Sequence, residues 1–260
     1  MRKSKRLISF IMSTVMVGSF YGCSKSVDTY DKESTDESIT TTLNSNEETT
    51  KEKEKCLIVY EEKTTLESEK EFYDKDENIY TKEDITITEE PSLDSKIVKK
   101  VDKYTKLDLI KTNDSWDYVS YDGAKGYVKS KFTDVLGNDY VEVDLSKQLL
   151  YLYVANELVD TIDITSGKKD KWDTREGCNS IYSKERNRHL KGDGYDCKVN
   201  YWIPFDGGIG LHDASWRDDS SFGGDTYIDN GSHGCVSMRD KDAKLVYDNT
   251  HVGEKVLVHR

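Results

Sequence analysis

The 260-residue sequence lacks an excess of basic residues, a long apolar run and a phosphate-binding loop. Asp and Glu (50) outnumber Lys and Arg (38), and the formal net charge is −12. Because phosphate binding needs clustered positive charge, this balance argues against a nucleic-acid partner. The largely apolar run at residues 7–17 is too short for a comfortable membrane span. Gly223-Gly224 predicts a turn or flap rather than a nucleotide site.

The amino terminus combines four basic residues, the short apolar run and then Gly22-Cys23. This order is typical of a secretory signal, and Cys23 is similar to the lipid acceptor of bacterial lipoproteins. We therefore expect residues 1–23 to be a lipoprotein signal; an uncleaved short anchor and a cleaved secretion signal are the alternatives. Each of these possibilities would bring the protein to the extracytoplasmic face of a bacterial membrane or to the cell wall.

Residues 24–78 have little hydrophobic content and much negative charge. The segment contains 8 Lys and 17 Asp and Glu, a net charge of −9. Such a composition cannot bury enough apolar surface to offset the entropy lost on ordering. The sequence therefore predicts a disordered acidic tether, in which the apolar patch at residues 56–60 would be at most a marginal strand.

Residues 79–137 contain five short strand-like runs separated by turn-prone pairs such as Asn113-Asp114 and Asp122-Gly123. Their spacing predicts a small β-barrel. The order of Pro91, Trp116 and Gly126-Tyr127-Val128 resembles bacterial SH3-like modules that accompany wall enzymes. Two roles remain open: exposed aromatic side chains bind wall peptide, or Trp116 and Tyr127 fill a small core and the module is a spacer.

The densest cluster of chemically useful residues is Gly231–Val236, together with Gly210–Asp213 upstream. Cys235 follows His233-Gly234, and His212 lies within folding distance of it. A thiol becomes a good nucleophile when a base or a positive neighbour supports its thiolate. A single cysteine or histidine is usually structural, but this combination favours a catalytic role for Cys235.

These residues resemble the signature of the L,D-transpeptidase family (the YkuD-type catalytic domain), which cross-links peptidoglycan. Ser232–Cys235 with His212 carries the resemblance, and Tyr201–Phe205 and Gly207–Asp213 extend it. It covers about residues 139–260. Nineteen residues separate His212 from Ser232, slightly more than usual, and Ser237 stands where the family commonly has Asn or Arg.

The resemblance implies a mainly β fold, with a β-sandwich catalytic domain at residues 138–260. The alternating patterns of residues 140–145, 148–154 and 158–164 themselves predict a β-meander with one buried face. We expect a loop at Arg186–Cys197, a helix at Asp240–Asn249 and a strand at Lys255–His259. The amino terminus of that helix, shortly after Cys235, would favour a thiolate and an oxyanion there.

The resemblance also implies roles for individual residues. Cys235 is the nucleophile and His212 the general base and acid, with His233 in a secondary role. Three further residues are expected to orient the base or to supply oxyanion donors: Asp213, Ser232 and Gly234. Four are expected to bind substrate: Tyr201, Trp202, Trp216 and Arg217.

The implied reaction is formation of 3→3 cross-links between peptidoglycan tetrapeptide stems through a cysteine thioester, with release of D-Ala. An L,D-carboxypeptidase with the same thioester and a non-catalytic wall-binding protein are the alternatives. No cofactor is expected. No metal site is apparent, although His212, His233 and Cys235 are possible zinc ligands. Cys178 and Cys197 could form a disulfide in an exported protein or remain two free thiols.

Overall fold

The computed structural model describes residues 70–192 and 194–260. The predicted signal, the lipid acceptor Cys23 and residues 24–69 of the predicted tether lie outside the described residues. No helix in the described part of the chain is long and apolar enough to cross a membrane.

Residues 73–135 form the N-terminal module, a seven-stranded sheet with the order β3-β2-β6-β5-β4-β1-β7. Its neighbouring strands pair antiparallel. The strands are β1 (Tyr73–Thr81), β2 (Ile85–Thr88), β3 (Ile97–Val101), β4 (Lys106–Thr112), β5 (Trp116–Tyr121), β6 (Ala124–Lys129) and β7 (Thr133–Val135), with one 3₁₀ turn at Ser130–Phe132.

Alternating side chains build the core of this module. In β4, Leu107 and Leu109 point inward while Asp108 between them is exposed. Trp116 is only 1% exposed, so its indole belongs to the interior. Strand β1 begins at Tyr73, which corrects the predicted end of the tether at residue 78. The pattern missed this strand because charged side chains occupy its outer half. The SH3-like assignment of the module stays a prediction.

The second part of the chain consists of two sheets. Five strands have the order β10-β9-β8-β16-β11, and four have the order β12-β13-β14-β15. Their bounds are β8 (Tyr140–Asp144), β9 (Leu149–Val154), β10 (Glu157–Asp163), β11 (Gly177–Ser180), β12 (Glu185–Gly192), β13 (Tyr195–Asp206), β14 (Ile209–Asp213), β15 (Val236–Met238) and β16 (Lys255–His259). The helices are α1 (Thr226–Asn230) and α2 (Asp240–Asn249), and a 3₁₀ turn covers Asp219–Ser221.

The two sheets share one hydrophobic core. It takes Val141 and Leu150 from the first sheet, Ile203 and Val236 from the second, and Val246 from α2. The predicted β-meander is confirmed as β8–β9–β10, and the predicted helix and final strand are confirmed at Asp240–Asn249 and Lys255–His259. Local periodicity was sufficient for these elements because each has one face that enters this core.

The predicted loop at Arg186–Cys197 is wrong. The segment belongs to an antiparallel hairpin, in which His189 pairs with Lys198 and Leu190 with Cys197. Strand β12 is exposed along almost its entire length. A ribbon with solvent on both faces has no hydrophobic alternation, and so the sequence pattern could not reveal it.

A buried carboxylate joins the two parts of the chain. Glu142 in β8 accepts a hydrogen bond from His259 in β16 at 3.0 Å and forms an ion pair with Lys106 of the N-terminal module at 3.5 Å. Burial raises the pKa of Glu142, but these two partners outweigh burial and hold the pKa below its usual range. The same carboxylate raises the pKa of His259 despite the burial of that ring. The module therefore rests against the second part through a charged contact that links three elements.

Candidate active site

An open cavity of about 460 Å³ lies between the β12–β13 hairpin and the segment that carries the cysteine motif. Among the predicted site residues, those that line it are Cys235, His212, His233, Ser232, Trp202, Trp216 and Arg217. Tyr201, Asp213 and Gly234 are not part of the lining. Folding therefore brings together residues from β13, β14, the loop after β14 and the cysteine turn. We call this space the catalytic cavity.

Strand pairing brings His212 and Cys235 together. Strands β14 and β15 are parallel, and His212 lies opposite Ser237. Cys235 precedes Ser237 by two residues, and side chains two residues apart in an extended chain point to the same face. Cys235 lies directly before β15, so this pairing brings the imidazole and the thiol to the lining of the same cavity.

A hydrogen-bonded turn presents the cysteine. Ser232 donates its hydroxyl to the carbonyl of Cys235 at 2.6 Å and accepts the amide of Gly234 at 3.0 Å. Gly234 has φ +110°, a conformation that side-chain-bearing residues rarely adopt. Ser232 thus shapes the turn, and its hydroxyl bonds to the main chain of this turn rather than to an imidazole.

A second loop, which contains Gly167 and Thr174, forms hydrogen bonds with this turn. The buried Thr174 donates its hydroxyl to the carbonyl of Gly234 at 2.9 Å and accepts the amide of Gly167 at 2.8 Å. The amide of Ser232 donates to the carbonyl of Ser166 at 2.9 Å. Nothing in the local sequence indicates these partners, because they lie some sixty residues before the cysteine motif.

Gly167→Ala is expected to lower the free energy of unfolding by about 1–3 kcal/mol, the usual cost of overpacking. A Cβ at Gly167 would stand 1.9 Å from the carbonyl oxygen of Trp172 and 2.9 Å from the Cα of Gly234, so backbone has to move. Urea unfolding followed by circular dichroism measures the change.

Gly208→Ala is the matched control for folding stability, because a Cβ at Gly208 meets nothing within 4 Å. Its unfolding free energy should stay within about 1 kcal/mol of the wild type. Equal destabilisation by both substitutions would contradict the close packing of Gly167 against the cysteine turn.

His212 is a neutral imidazole with a defined tautomer. Its ring is 3% exposed, and Nδ1 lies 2.7 Å from the carbonyl oxygen of Asp213. A carbonyl only accepts, so Nδ1 carries the proton and Nε2 keeps the free lone pair. Burial lowers the pKa of His212 to about 4, and the nearby charge of Arg217 adds to this effect. The imidazole is therefore uncharged near neutral pH, and its Nε2 can accept a proton or a hydrogen bond.

The thiol of Cys235 is also neutral near pH 7. Burial raises its pKa to about 11, although a hydrogen bond from the amide of Gly210 opposes the shift. The Sγ atom contacts the carbonyl oxygen of Gly208 at 3.9 Å. Strand β15 separates Cys235 from α2, which begins at Asp240, so the predicted thiolate stabilisation by the helix amino terminus is wrong.

His233 faces outward in an aromatic stack. Its ring centroid lies 3.8 Å from that of Trp172 and 4.9 Å from that of Tyr195. The stack connects the loop after β10 with the start of β13 at the mouth of the cavity. This placement agrees with a secondary role, and the sequence did not point to Trp172 or Tyr195.

Two predicted site residues face the protein interior. Asp213 is fully buried, and its Oδ1 accepts the amides of Asn200 at 2.7 Å and Tyr201 at 2.8 Å. Only its main-chain carbonyl orients His212. Tyr201 is 5% exposed and packs against Tyr247 of α2, with ring centroids 5.4 Å apart. Because residues alternate along β13, Trp202 faces the cavity while Tyr201 faces α2.

Two tryptophans flank the base. The ring centroids of Trp202 and Trp216 lie 5.9 and 6.0 Å from that of His212. Trp202 is 6% exposed, whereas Trp216 is 50% exposed and forms an outer wall. Together they offer apolar surface to a ligand next to the imidazole.

The described cysteines 178, 197 and 235 are all free thiols, so the possible Cys178–Cys197 disulfide is not formed. Cys197 lines the catalytic cavity, whereas Cys178 is not part of its lining. Burial raises the pKa of the Cys178 thiol to about 11.

In the described ranges, one group places three metal-ligand atoms within 4.8 Å of one another: Asp139, His251 and Glu254. It lies outside the catalytic cavity, and the imidazole of His251 already bonds to Glu254 at 2.6 Å.

Comparison with known proteins places this site in a family. Residues 138–258 match the model of the L,D-transpeptidase catalytic domain, YkuD. No curated protein matches the chain. Residues 138–258 therefore form a catalytic domain of the YkuD L,D-transpeptidase family, and this part of the chain is an enzyme domain of that family.

Solved structures of L,D-transpeptidases are similar to the chain. The NMR structure of the catalytic domain from Enterococcus faecium is 35% identical, with 46% of this chain and 96% of that chain covered and a TM-score of 0.42. A crystal structure of a cysteine-to-serine mutant of the E. faecium enzyme is 23% identical, with 69% and 75% covered and a TM-score of 0.47. A Mycobacterium tuberculosis L,D-transpeptidase is 21% identical, with 68% and 77% covered and a TM-score of 0.43.

Proposed function

We propose that residues 138–260 catalyse peptidoglycan L,D-transpeptidation and form 3→3 cross-links through a thioester on Cys235. The observation that carries the proposal is that a neutral, tautomer-defined His212 and the thiol of Cys235 line the same open cavity. A nucleophile beside a base that a third group orients is the arrangement of covalent acyl transfer.

In the acylation step, Nε2 of His212 takes the proton of the thiol while the sulfur attacks the carbonyl before the terminal D-Ala of a tetrapeptide stem. Since both groups are neutral at rest, charge develops only as the C–S bond forms. His212 then gives the proton to the D-Ala nitrogen, the C–N bond breaks and D-Ala leaves. Attack by the side-chain amine of a second stem completes the cross-link and regenerates the thiol.

The oxyanion of this step needs main-chain donors near the sulfur. The amide of Gly234 already donates to Ser232, so we assign the role to the amide of Cys235 rather than to that of Gly234. Gly234 contributes through its positive φ, which orients the following peptide unit.

A product assay on the full-length protein tests the function. Incubation with a disaccharide-tetrapeptide is expected to yield the cross-linked dimer and free D-Ala, both identified by mass spectrometry. Release of disaccharide-tripeptide without dimer would instead establish an L,D-carboxypeptidase, because water rather than an amine would resolve the thioester. Absence of both products would leave the non-catalytic wall-binding alternative.

The remaining chain is assigned by the same proposal. Residues 1–23 would export the enzyme and attach it through Cys23, and the acidic tether would carry it to the wall. The side chain of Trp116 is buried and would not contact wall peptide, which favours the spacer role of the N-terminal module. Tyr127 instead belongs to a half-buried aromatic cluster with Phe72 and Tyr118, where wall peptide could bind.

A further inference from the structure

Among the arginines of the described chain, Arg217 alone lacks a hydrogen-bond or ion-pair partner for its guanidinium. Its Nε and Nη1 atoms are buried and have no hydrogen-bond partner. The other described arginines all have acceptors: Arg175 pairs with Asp206, Arg186 with the carbonyl of Asn200, Arg188 with Glu185, Arg239 with Asp163, and Arg260 with Asp173 and Glu176. A guanidinium with free donors in the wall of a cavity is suited to bind an anionic group.

A charge withdrawn from water is costly without a partner. Burial lowers the pKa of Arg217, yet a guanidinium stays protonated at any ordinary pH. The positive charge of Arg217 also acts on the base, since it lowers the pKa of His212. Arg217 also follows Trp216, whose ring centroid lies 6.0 Å from that of His212, so Arg217 lies on the His212 side of the catalytic cavity. Its planar donor set suits a carboxylate.

We propose that Arg217 forms a carboxylate subsite for the C-terminal carboxylate of the amino acid that leaves; this inference rests on the proposed function. His212 protonates the nitrogen of the leaving residue, and in an α-amino acid a single carbon separates that nitrogen from the carboxylate. A leaving residue whose nitrogen faces His212 therefore brings its carboxylate to the neighbouring guanidinium.

The subsite makes Arg217 a determinant of donor length. A stem with one residue after the attacked bond places its carboxylate against Arg217. A stem with two residues after that bond has an uncharged amide at this point and leaves the guanidinium unpaired. The half-buried arginine therefore discriminates against longer donors by the cost of an unsatisfied charge.

The kinetic test compares a tetrapeptide donor that has a free C-terminal carboxylate with the same peptide as a C-terminal amide. Wild-type full-length protein is expected to acylate faster with the acid. Arg217→Gln should lower kcat/KM for the acid by about 10- to 100-fold, the range of a lost charge-assisted hydrogen bond, and change that for the amide little. Arg217→Lys should recover part of the loss.

The matched control is Arg188→Gln, because Arg188 lines the same cavity but pairs with Glu185. It should leave the acid-to-amide preference unchanged. If Arg217→Gln slows the acid and the amide equally, or if Arg188→Gln has the same effect, Arg217 does not read the terminal carboxylate. The inference is then overturned.

A binding measurement separates this inference from the proposed function. Titration with N-acetyl-D-alanine should shift the Nε–H resonance of Arg217 saturably, whereas N-acetyl-D-alaninamide should not. A saturable shift in a protein that forms no acyl-enzyme would support the subsite and refute the proposed function. Acyl transfer without any shift, and without an acid-to-amide preference, would refute the subsite and leave the proposed function standing.

Discussion

Cys235→Ala is expected to form neither an acyl-enzyme nor a cross-linked dimer, because the sulfur is the atom that carries the acyl group in the proposed mechanism. Removal of a covalent nucleophile reduces turnover to a background that binding and main-chain donors alone provide. Intact-protein mass spectrometry after incubation with the tetrapeptide donor detects the acyl adduct on wild type and its loss in the variant.

Cys197→Ala is the matched control for this experiment. Cys197 is also a free thiol that lines the catalytic cavity, but it lies on the hairpin strand β13 and has no imidazole assigned to it. Its substitution should leave the acyl adduct in place. An adduct that persists in Cys235→Ala and disappears in Cys197→Ala would show that Cys197 of the hairpin is the nucleophile.

His212→Gln should lower the acylation rate by about 10²–10⁴-fold, the range for removal of a general base. Glutamine keeps polar atoms in the buried space but cannot take the thiol proton. His189→Gln controls for the loss of an imidazole from the cavity wall, since His189 is exposed and pairs with Asp196. Similar losses in the two variants would contradict the assignment of His212 as the base.

The pH profile of acylation follows from the same pair. The reactive form needs His212 without its second proton, so the rate should fall as pH drops through the pKa of about 4. It should be level between about pH 5 and pH 10, because the thiol stays protonated until its pKa of about 11. The ultraviolet thiolate signal, taken as the difference between wild type and Cys235→Ala, should be absent near neutral pH. A thiolate signal at that pH would show an ion pair instead.

Short-range patterns predicted much of the fold. The meander at residues 140–164, the helix Asp240–Asn249 and the strand Lys255–His259 each have a hydrophobic period that follows from one buried face. The hairpin that contains Arg186–Cys197 was not predicted, because both of its faces contact solvent and its sequence therefore has no hydrophobic periodicity. Strand β1 escaped for a related reason, since only its end around Ile79 enters a core.

The sequence also predicted only part of the candidate site. Cys235 and His212 were identifiable from their neighbours along the chain, and both line the cavity. Tyr201 and Trp202 are adjacent in sequence and looked equivalent, but the alternation of strand β13 sends one to α2 and the other to the cavity. Thr174 gave no signal at all, because its role depends on a contact with Gly234 across sixty residues.

By itself, the sequence determined which atoms are available for chemistry: one thiol in a glycine-bounded turn, one upstream imidazole and a mainly β scaffold. Only the tertiary structure decided how those atoms are used. The parallel pairing of β14 with β15 brings His212 and Cys235 to one cavity, the Asp213 carbonyl selects the tautomer of His212, and burial shifts both pKa values. These properties arise from contacts between distant segments and from exclusion of water, and neither is encoded in any local stretch of residues.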